Sequence, residues 1–313
     1  MVCILNTHTD PYFNAAAEEF LLKQFDRDCF MLWQNTASVF IGKHQNALAE
    51  INYGFIKQNN IPVIRRLSGG GTVFHDEGNL NFSFITHAEQ GKSINFKFYL
   101  KPIVDFLCTI GITSEINPRN NLFIGDRKIT GTAAHIYKNK VIHHGTLLYK
   151  TNEKNLLLAT QNDANKYSDK SVKSVRSNIT NISQHIAGIN IHDFIFKLKD
   201  FLTTYFKATR EYFFSKSDHS EIEKLSQNKY QTWEWNYGYS PAYFFQNKIL
   251  IQEIETEIKL EVKKGIIESV LFTEELPLSS FIINTITGKA HKEDLLFAEL
   301  NKIGLGYICR HLF

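Results

Sequence analysis

Three consecutive glycines, Gly69, Gly70 and Gly71, follow an apolar run at 61–64 and two arginines, Arg65 and Arg66. Glycine loses more backbone freedom on folding than any other residue, so a triplet is expected where the chain takes a positive φ or where another group must come close. Further along the same stretch, RRLSGGGTVFHDEGNLNFSF, Leu80, Phe82 and Phe84 alternate with Asn81 and Ser83, the period of a strand with two different faces. Two strands therefore frame a loop whose amides can wrap an anion. Arg65 and Arg66 can offer guanidinium forks to a phosphate or carboxylate, and His75, Asp76 and Asn79 add polar groups after the turn. On its own, the triplet reads more simply as a sharp turn beside two solvated arginines.

The rest of the chain alternates between helical and extended patterns without an internal repeat. Over 14–25, Ala16, Phe20 and Leu21 fall near helical spacing, with Asn14 as the expected cap of a helix following Pro11. Residues 30–33 and 38–41 read as strands joined by a polar turn at Gln34-Asn35, 62–66 and 79–85 as further strands, and 98–110 and 191–206 as helices. This predicts an α+β fold, a mixed sheet flanked by helices. Residues 160–183 carry almost no large apolar side chain, the composition of either a disordered insertion or a working lid. Beyond the aromatic cluster at 233–245, strands are expected on either side of a turn at Lys263-Lys264-Gly265. A chain of 313 residues exceeds the usual single core of roughly 100–200, so the expected division is a domain over 1–247 and a small α+β domain over 248–313.

Charge and cysteine usage exclude several classes. The 35 basic residues are offset by 32 acids to a net +3, too little for a nucleic-acid binder. The 4 cysteines form no CxxC pair, which argues against a disulfide framework or a zinc site and for reduced, buried thiols. No apolar run approaches the ~18–20 residues of a membrane span, and the opening residues lack the basic region of a secretory signal, so a cytoplasmic protein is expected. Gly91-Lys92-Ser93 resembles the end of a P-loop, but that motif requires a glycine where Thr86 stands. Nor does the triplet fit GxGxxG, whose third glycine would fall at Val73 or later.

A second constellation lies at 119–148, RNNLFIGDRKITGTAAHIYKNKVIHHGTLL. Lys128 sits between a turn at Gly125-Asp126 and a β-branched pair, at the start of a strand. Beside a glycine-lined anion site its ammonium would be a compact point charge for a carboxylate or α-phosphate; alone, it reads as an exposed hairpin lysine. His143 and His144 are adjacent on a strand and point to opposite faces, so they cannot readily share a metal, and one inward and one outward ring is expected.

Taken in order, PYFNAAAEEFLL, LWQNTASVFIGKHQN, RRLSGGGTVFHDEGNLNFSF, GDRKITGTAAHIYKNKVIHHGTLL, SVRSNITNI and WEWNYG resemble the successive motifs of lipoate-protein ligases, over about residues 5–240. The resemblance implies the catalytic fold shared with biotin-protein ligases, class II synthetase-like, with a small accessory domain at the C-terminus. It also implies a two-step reaction. ATP activates lipoate as lipoyl-AMP with release of pyrophosphate, and the lipoyl group passes to a lysine of an acceptor domain, in 2-oxoacid dehydrogenase subunits or the glycine cleavage H protein. Lys128 aligns with the family's essential lysine. Arg66, Gly71, Thr72, Val73, Phe74 and Asn79 align with ATP- or adenylate-binding positions, Arg66, Gly70, Gly71, Lys128 and His144 with lipoate-binding ones, and Ser174, Val175, Arg176 and Ser177 with the adenylate-binding loop. Magnesium accompanying ATP, a monomeric state and no nucleic-acid or membrane partner are further expectations. Where the family often has Arg-Asn-Asp, this chain has Arg119-Asn120-Asn121. Two other readings compete. An ATP-independent octanoyl or lipoyl transferase on the same scaffold needs a thiolate, and no cysteine lies in the glycine, lysine or HHG segments. A binding module without catalysis would tolerate loss of Lys128.

Overall fold

The computed structural model describes residues 1–88, 94–251, 253–274 and 276–313; the Gly91-Lys92-Ser93 stretch lies outside them. The chain divides into two compact units, the first formed by 1–43, 61–157 and 174–231 and the second by 44–60, 158–173 and 232–313.

In the first unit, strands β1 (Val2–Asn6), β2 (Cys29–Trp33), β3 (Ser38–Ile41), β4 (Val63–Arg65), β5 (Val73–His75) and β6 (Asn79–His87) are followed by β7 (Glu115–Ile116), β8 (Leu122–Ile124), β9 (Arg127–Lys128), β10 (Thr132–Tyr137) and β11 (Lys140–Leu148). They form a mixed five-stranded sheet ordered β1-β2-β6-β11-β10 and two three-stranded sheets, β4-β3-β5 and β7-β8-β9. The expected strands at 30–33 and 38–41 are present, but they are not neighbours: β2 joins the large sheet, while β3 pairs with β4 and β5.

The alternation in β6 decides what each face of the large sheet does. Leu80, Phe82 and Phe84, with Phe30 and Leu32, face a core completed by Leu100, Ile103 and Phe106 of helix Phe96–Thr109 and Phe194, Leu198 and Leu202 of helix Ile191–Tyr205. The opposite face carries Ser83 and, from the neighbouring strands, Trp33 and His144; helix Pro11–Lys23 lies against it. That helix begins earlier than its periodicity predicts. Asp10 caps it, accepting from the Tyr12 and Phe13 amides, and Pro11 occupies the first turn, where a missing N–H costs nothing. Asn14 is an interior residue, fully buried, whose amide donates to the His8 and Gln34 carbonyls and to Asn35 Oδ1.

In the second unit, β12 (Tyr167–Asp169), β13 (Tyr243–Ile251), β14 (Ile254–Lys263) and β15 (Ile266–Phe272) form an antiparallel sheet in sequence order. Here two expectations meet a different chain path. A boundary after residue 247 would cut β13, and part of the polar stretch at 160–183 is the strand β12, paired to β13. The earlier segment is held to the later one by the Ala47 amide, which donates to Ser240 Oγ. Among the described residues, no helix is long and apolar enough to cross a membrane.

Gly78 joins β5 to β6 where the Tyr149 and Lys150 amides both donate to its carbonyl. A Cβ there would run into the Lys150 backbone. Gly78→Ala is therefore expected to destabilise the protein by about 2 kcal/mol or more, read as a lowered urea midpoint at unchanged m-value.

Candidate active site

The glycine triplet owes its shape to Arg66. This residue is buried, and its Nη2 donates to the Gly69 and Gly71 carbonyls, both at 2.7 Å, its Nη1 to the Phe40 carbonyl and its Nε to Ser68 Oγ. Arg65, completely buried, donates to the Gly42 and Lys43 carbonyls. Neither arginine is solvated, and both guanidinium groups hold the backbone rather than reaching outward. Because a trans peptide is planar, turning the Gly69 and Gly71 carbonyls toward Arg66 turns the Gly70 and Thr72 N–H groups the other way. Thr72 N–H donates to Ser174 Oγ at 2.8 Å, while Gly70 N–H has no acceptor among the described residues. The three glycines have separate roles. Gly70 takes φ +89, a Cβ on Gly71 would press on Ser174 at 3.2–3.4 Å, and Gly69 meets neither constraint.

Lys128 stands beside this loop. Its Nζ lies 3.6 Å from the point a Cβ on Gly131 would occupy, and Val73 Cγ1 lies 3.8 Å from the same point. The lysine is half-buried and has no carboxylate partner among the described residues. Burial, and then the charge of Arg119, hold its pKa below the ordinary lysine value. Its backbone is fixed on both sides: the Lys128 amide donates to the Asn178 carbonyl at 2.9 Å and its carbonyl accepts from Thr180 N–H at 3.1 Å. The segment carrying Ser174, Val175, Arg176 and Ser177 is thus an exposed coil fastened at one end to the glycine loop and at the other to the lysine strand.

Beneath the loop runs a buried polar chain that sequence reading missed except for His144. Trp33 Nε1 donates to Ser83 Oγ at 2.9 Å, and Ser83 donates to Glu18 Oε1 at 2.5 Å. His144 Nδ1 faces the same carboxylate oxygen at 2.8 Å, and its Nε2 faces Ser68 Oγ at 2.6 Å. With Nδ1 protonated, every donor in the chain finds an acceptor, which assigns the tautomer from the network. Glu18 was visible as half of a Glu18-Glu19 pair inside an Ala- and Leu-rich helix, an odd place for carboxylates unless both are engaged. Glu19 is the second such case, accepting from Lys23 at 2.6 Å, Lys229 at 2.7 Å and Tyr230 at 2.6 Å. The expected outward ring is not found, since His143 and His144 are both buried, on opposite faces of the sheet. His143 is on the helical face, stacked on Tyr99 and accepting the Asn95 amide at its Nε2. Asn79 is fully buried at the start of β6, its amide donating to Asn81 Oδ1, and the Phe74 side chain is in the core.

A family model, the lipoyl protein ligase A/B catalytic domain, matches residues 10–203. The chain belongs to this family. Lipoate–protein ligase 1 of Staphylococcus aureus is 39% identical over 268 residues, covering 84% of this chain and 81% of the relative. Lipoate-protein ligase LplJ of Bacillus subtilis is 34% identical over 304 residues, with 95% and 92% covered. Among solved structures, LipL1 of P. falciparum in complex with lipoate superposes with a TM-score of 0.66 at 23% identity, over 99% of this chain and 98% of that one. A lipoate-protein ligase A bound with ATP gives 0.65 at 23%, over 76% and 98%. At that identity these two establish the shared α+β fold.

His75 closes the inner side of the site, stacked on Phe40 at 4.5 Å with Nδ1 facing Asn35 Nδ2 at 3.0 Å. Burial, reinforced by the Arg66 charge, lowers its pKa to about 3, whereas the unfolded side chain titrates near ~6.5. Below ~6.5 the unfolded chain takes up a proton that folded His75 refuses, so stability is present above that pH and is lost as pH falls toward the folded value. Urea unfolding at pH 7 and pH 5 should show a loss of about 1 kcal/mol or more, and His75→Gln should lose less over the same interval.

Proposed function

We propose that this protein is an ATP-dependent lipoate–protein ligase that forms lipoyl-AMP and then lipoylates a lysine of an acceptor lipoyl domain. The observation that carries the reading is the placement of the Lys128 ammonium, without a carboxylate partner, beside the glycine loop and under a coil tied to both. Activating a carboxylate with ATP brings two anions together, and a cation already in place lowers that barrier without reorganisation. Lys128 is assigned to bridge the lipoate carboxylate and the α-phosphate. The Gly70 and Thr72 N–H groups, turned away from Arg66, are assigned to the adenylate together with the 71–74 backbone. Arg66 serves both ligands by shaping the loop that binds them. Asn79 is assigned a supporting role beneath the nucleotide.

Lipoate is an apolar tail on a carboxylate, so it requires a dry slot. The layer under Gly69–Gly71 is assigned to that tail, with His144 fixed below it by Ser68 and Glu18. Opening the coil at Ser174–Ser177 frees Thr72 N–H for the nucleotide, and its closure keeps water from the mixed anhydride until the acceptor amine attacks the carbonyl and AMP leaves. Magnesium is expected to arrive on the triphosphate. Among the described residues no three His, Cys, Asp or Glu side chains stand together to hold a metal, so the residues here do not form a dedicated site and no step is assigned to one. The first unit would carry the chemistry and the second would be accessory. The acceptors would be 2-oxoacid dehydrogenase subunits and the glycine cleavage H protein, modified in the cytoplasm by a monomeric enzyme.

The thiol-dependent transferase finds no support in the cysteines. Burial raises the thiol pKa to about 11 for Cys3 and to about 12 for Cys29 and Cys309, far from a reactive thiolate. Cys108 is exposed on helix Phe96–Thr109, against the sheet face opposite His144.

Lipoate-dependent exchange of labelled pyrophosphate into ATP, with mass gain on an acceptor lipoyl domain, tests the proposal. Lys128→Ala should reduce exchange by about 10²–10³-fold with an unchanged circular dichroism spectrum; near-normal exchange in that variant would overturn the role assigned to the amine.

A further inference from the structure

A second cation is carried on a turn pinned to the strand that follows Lys128. Residues 117–121 form a turn built on Asn117, whose Oδ1 accepts from the Arg119 and Asn121 amides, both at 3.0 Å, while the Asn117 amide donates to the Asn121 carbonyl at 3.0 Å. Asn120 takes φ +58, a conformation asparagine tolerates better than most side chains. This turn is pinned to the site, because Thr132 Oγ1 donates to the Asn120 carbonyl and Thr132 follows Gly131, the glycine next to Lys128 Nζ. Behind the turn, β8 pairs with β9 so that Phe123 is opposite Lys128. The Arg119 side chain is exposed and has no carboxylate partner among the described residues.

The chemistry of the turn sharpens this. Asn117, Pro118, Arg119, Asn120 and Asn121 include no acid. The turn thus supplies no anion of its own to Arg119, whose charge, after burial, lowers the pKa of Lys128. Two like charges held together by backbone geometry repel each other until a polyanion arrives. One point charge suits the single anionic centre at which a bond is made; a planar guanidinium suits the terminal oxygens of a leaving phosphate chain.

We propose that Arg119 binds the pyrophosphate end of the triphosphate and stabilises pyrophosphate as it leaves. The inference rests on the ligase reading given above. In the step concerned, a lipoate carboxylate oxygen forms a bond to the α-phosphorus as the bridging bond from that phosphorus to the β-phosphate oxygen breaks. The electron pair and the new negative charge depart on pyrophosphate, where Arg119 donates hydrogen bonds. No proton need move, and the second half-reaction, which contains no pyrophosphate, has no use for Arg119.

The two half-reactions therefore separate the possibilities. In lipoate-dependent ATP–pyrophosphate exchange, Arg119→Ala should raise the KM for both ATP and pyrophosphate by about tenfold or more, with Arg119→Lys in between. Transfer from synthetic lipoyl-AMP to an acceptor lipoyl domain should remain within about twofold of wild type in the same preparations. Unchanged KM values for pyrophosphate would overturn the assignment, as would an equal fall in both half-reactions, which would mark a merely structural role. Absence of lipoate-dependent exchange in the wild-type protein would instead overturn the ligase reading, and with it this inference.

Discussion

A guanidinium group buried among carbonyls holds the rest of the first unit's site in place. Taking a charge out of water is costly unless nearly all its donors find partners. Arg66 meets that condition with backbone oxygens from two places in the chain, Phe40 on β3 and Gly69 and Gly71 in the loop, and with the Ser68 hydroxyl. One side chain thus fixes the distance between a strand and a loop, and the orientation of the peptide planes between them. A lysine at this position would retain the charge but lose the planar fork that reaches two carbonyls from one nitrogen.

The polar chain under the loop extends this constraint. Ser68 accepts from Arg66 and meets His144, which meets Glu18, which accepts from Ser83, which accepts from Trp33. The loop is thereby coupled to a helix and to three strands of the large sheet through groups that are all buried. Partly satisfied networks of this kind are destabilising and fully satisfied ones are specifying, because an unpaired member in a low-dielectric interior loses its hydration for nothing. The cationic rim around Lys128 and Arg119 is the reverse case, with charge held ready and no internal anion assigned to it.

Local patterns were legible in the sequence, and long-range partnerships were not. Period-two alternation named the two faces of β6, and the triplet marked a strained, crowded loop, because both signals come from a residue and its immediate neighbours. The placement of Lys128 came from ordered motifs. The fate of Arg65 and Arg66 was hidden, since the Gly42, Lys43 and Phe40 carbonyls that draw them inward lie more than 20 residues earlier in the chain. One ring of the His143-His144 pair reads as solvent-facing only if one side of the sheet is bare, and helix Phe96–Thr109 covers the His143 side. The Asp10-Pro11 pair did carry the helix start, through a capping acid and a proline suited to the first turn; the apolar spacing further in was the weaker guide.

The interleaving of the two units has a temporal side. Residues 44–60 emerge from the ribosome well before Tyr243–Ile251 and the strands that follow, yet they belong with those strands. During synthesis the first unit must therefore begin to assemble around two excursions of chain that have no partners yet. The later-made sheet recruits them only once residues 232–313 have been synthesised, so a chain arrested before that point leaves its early pieces stranded.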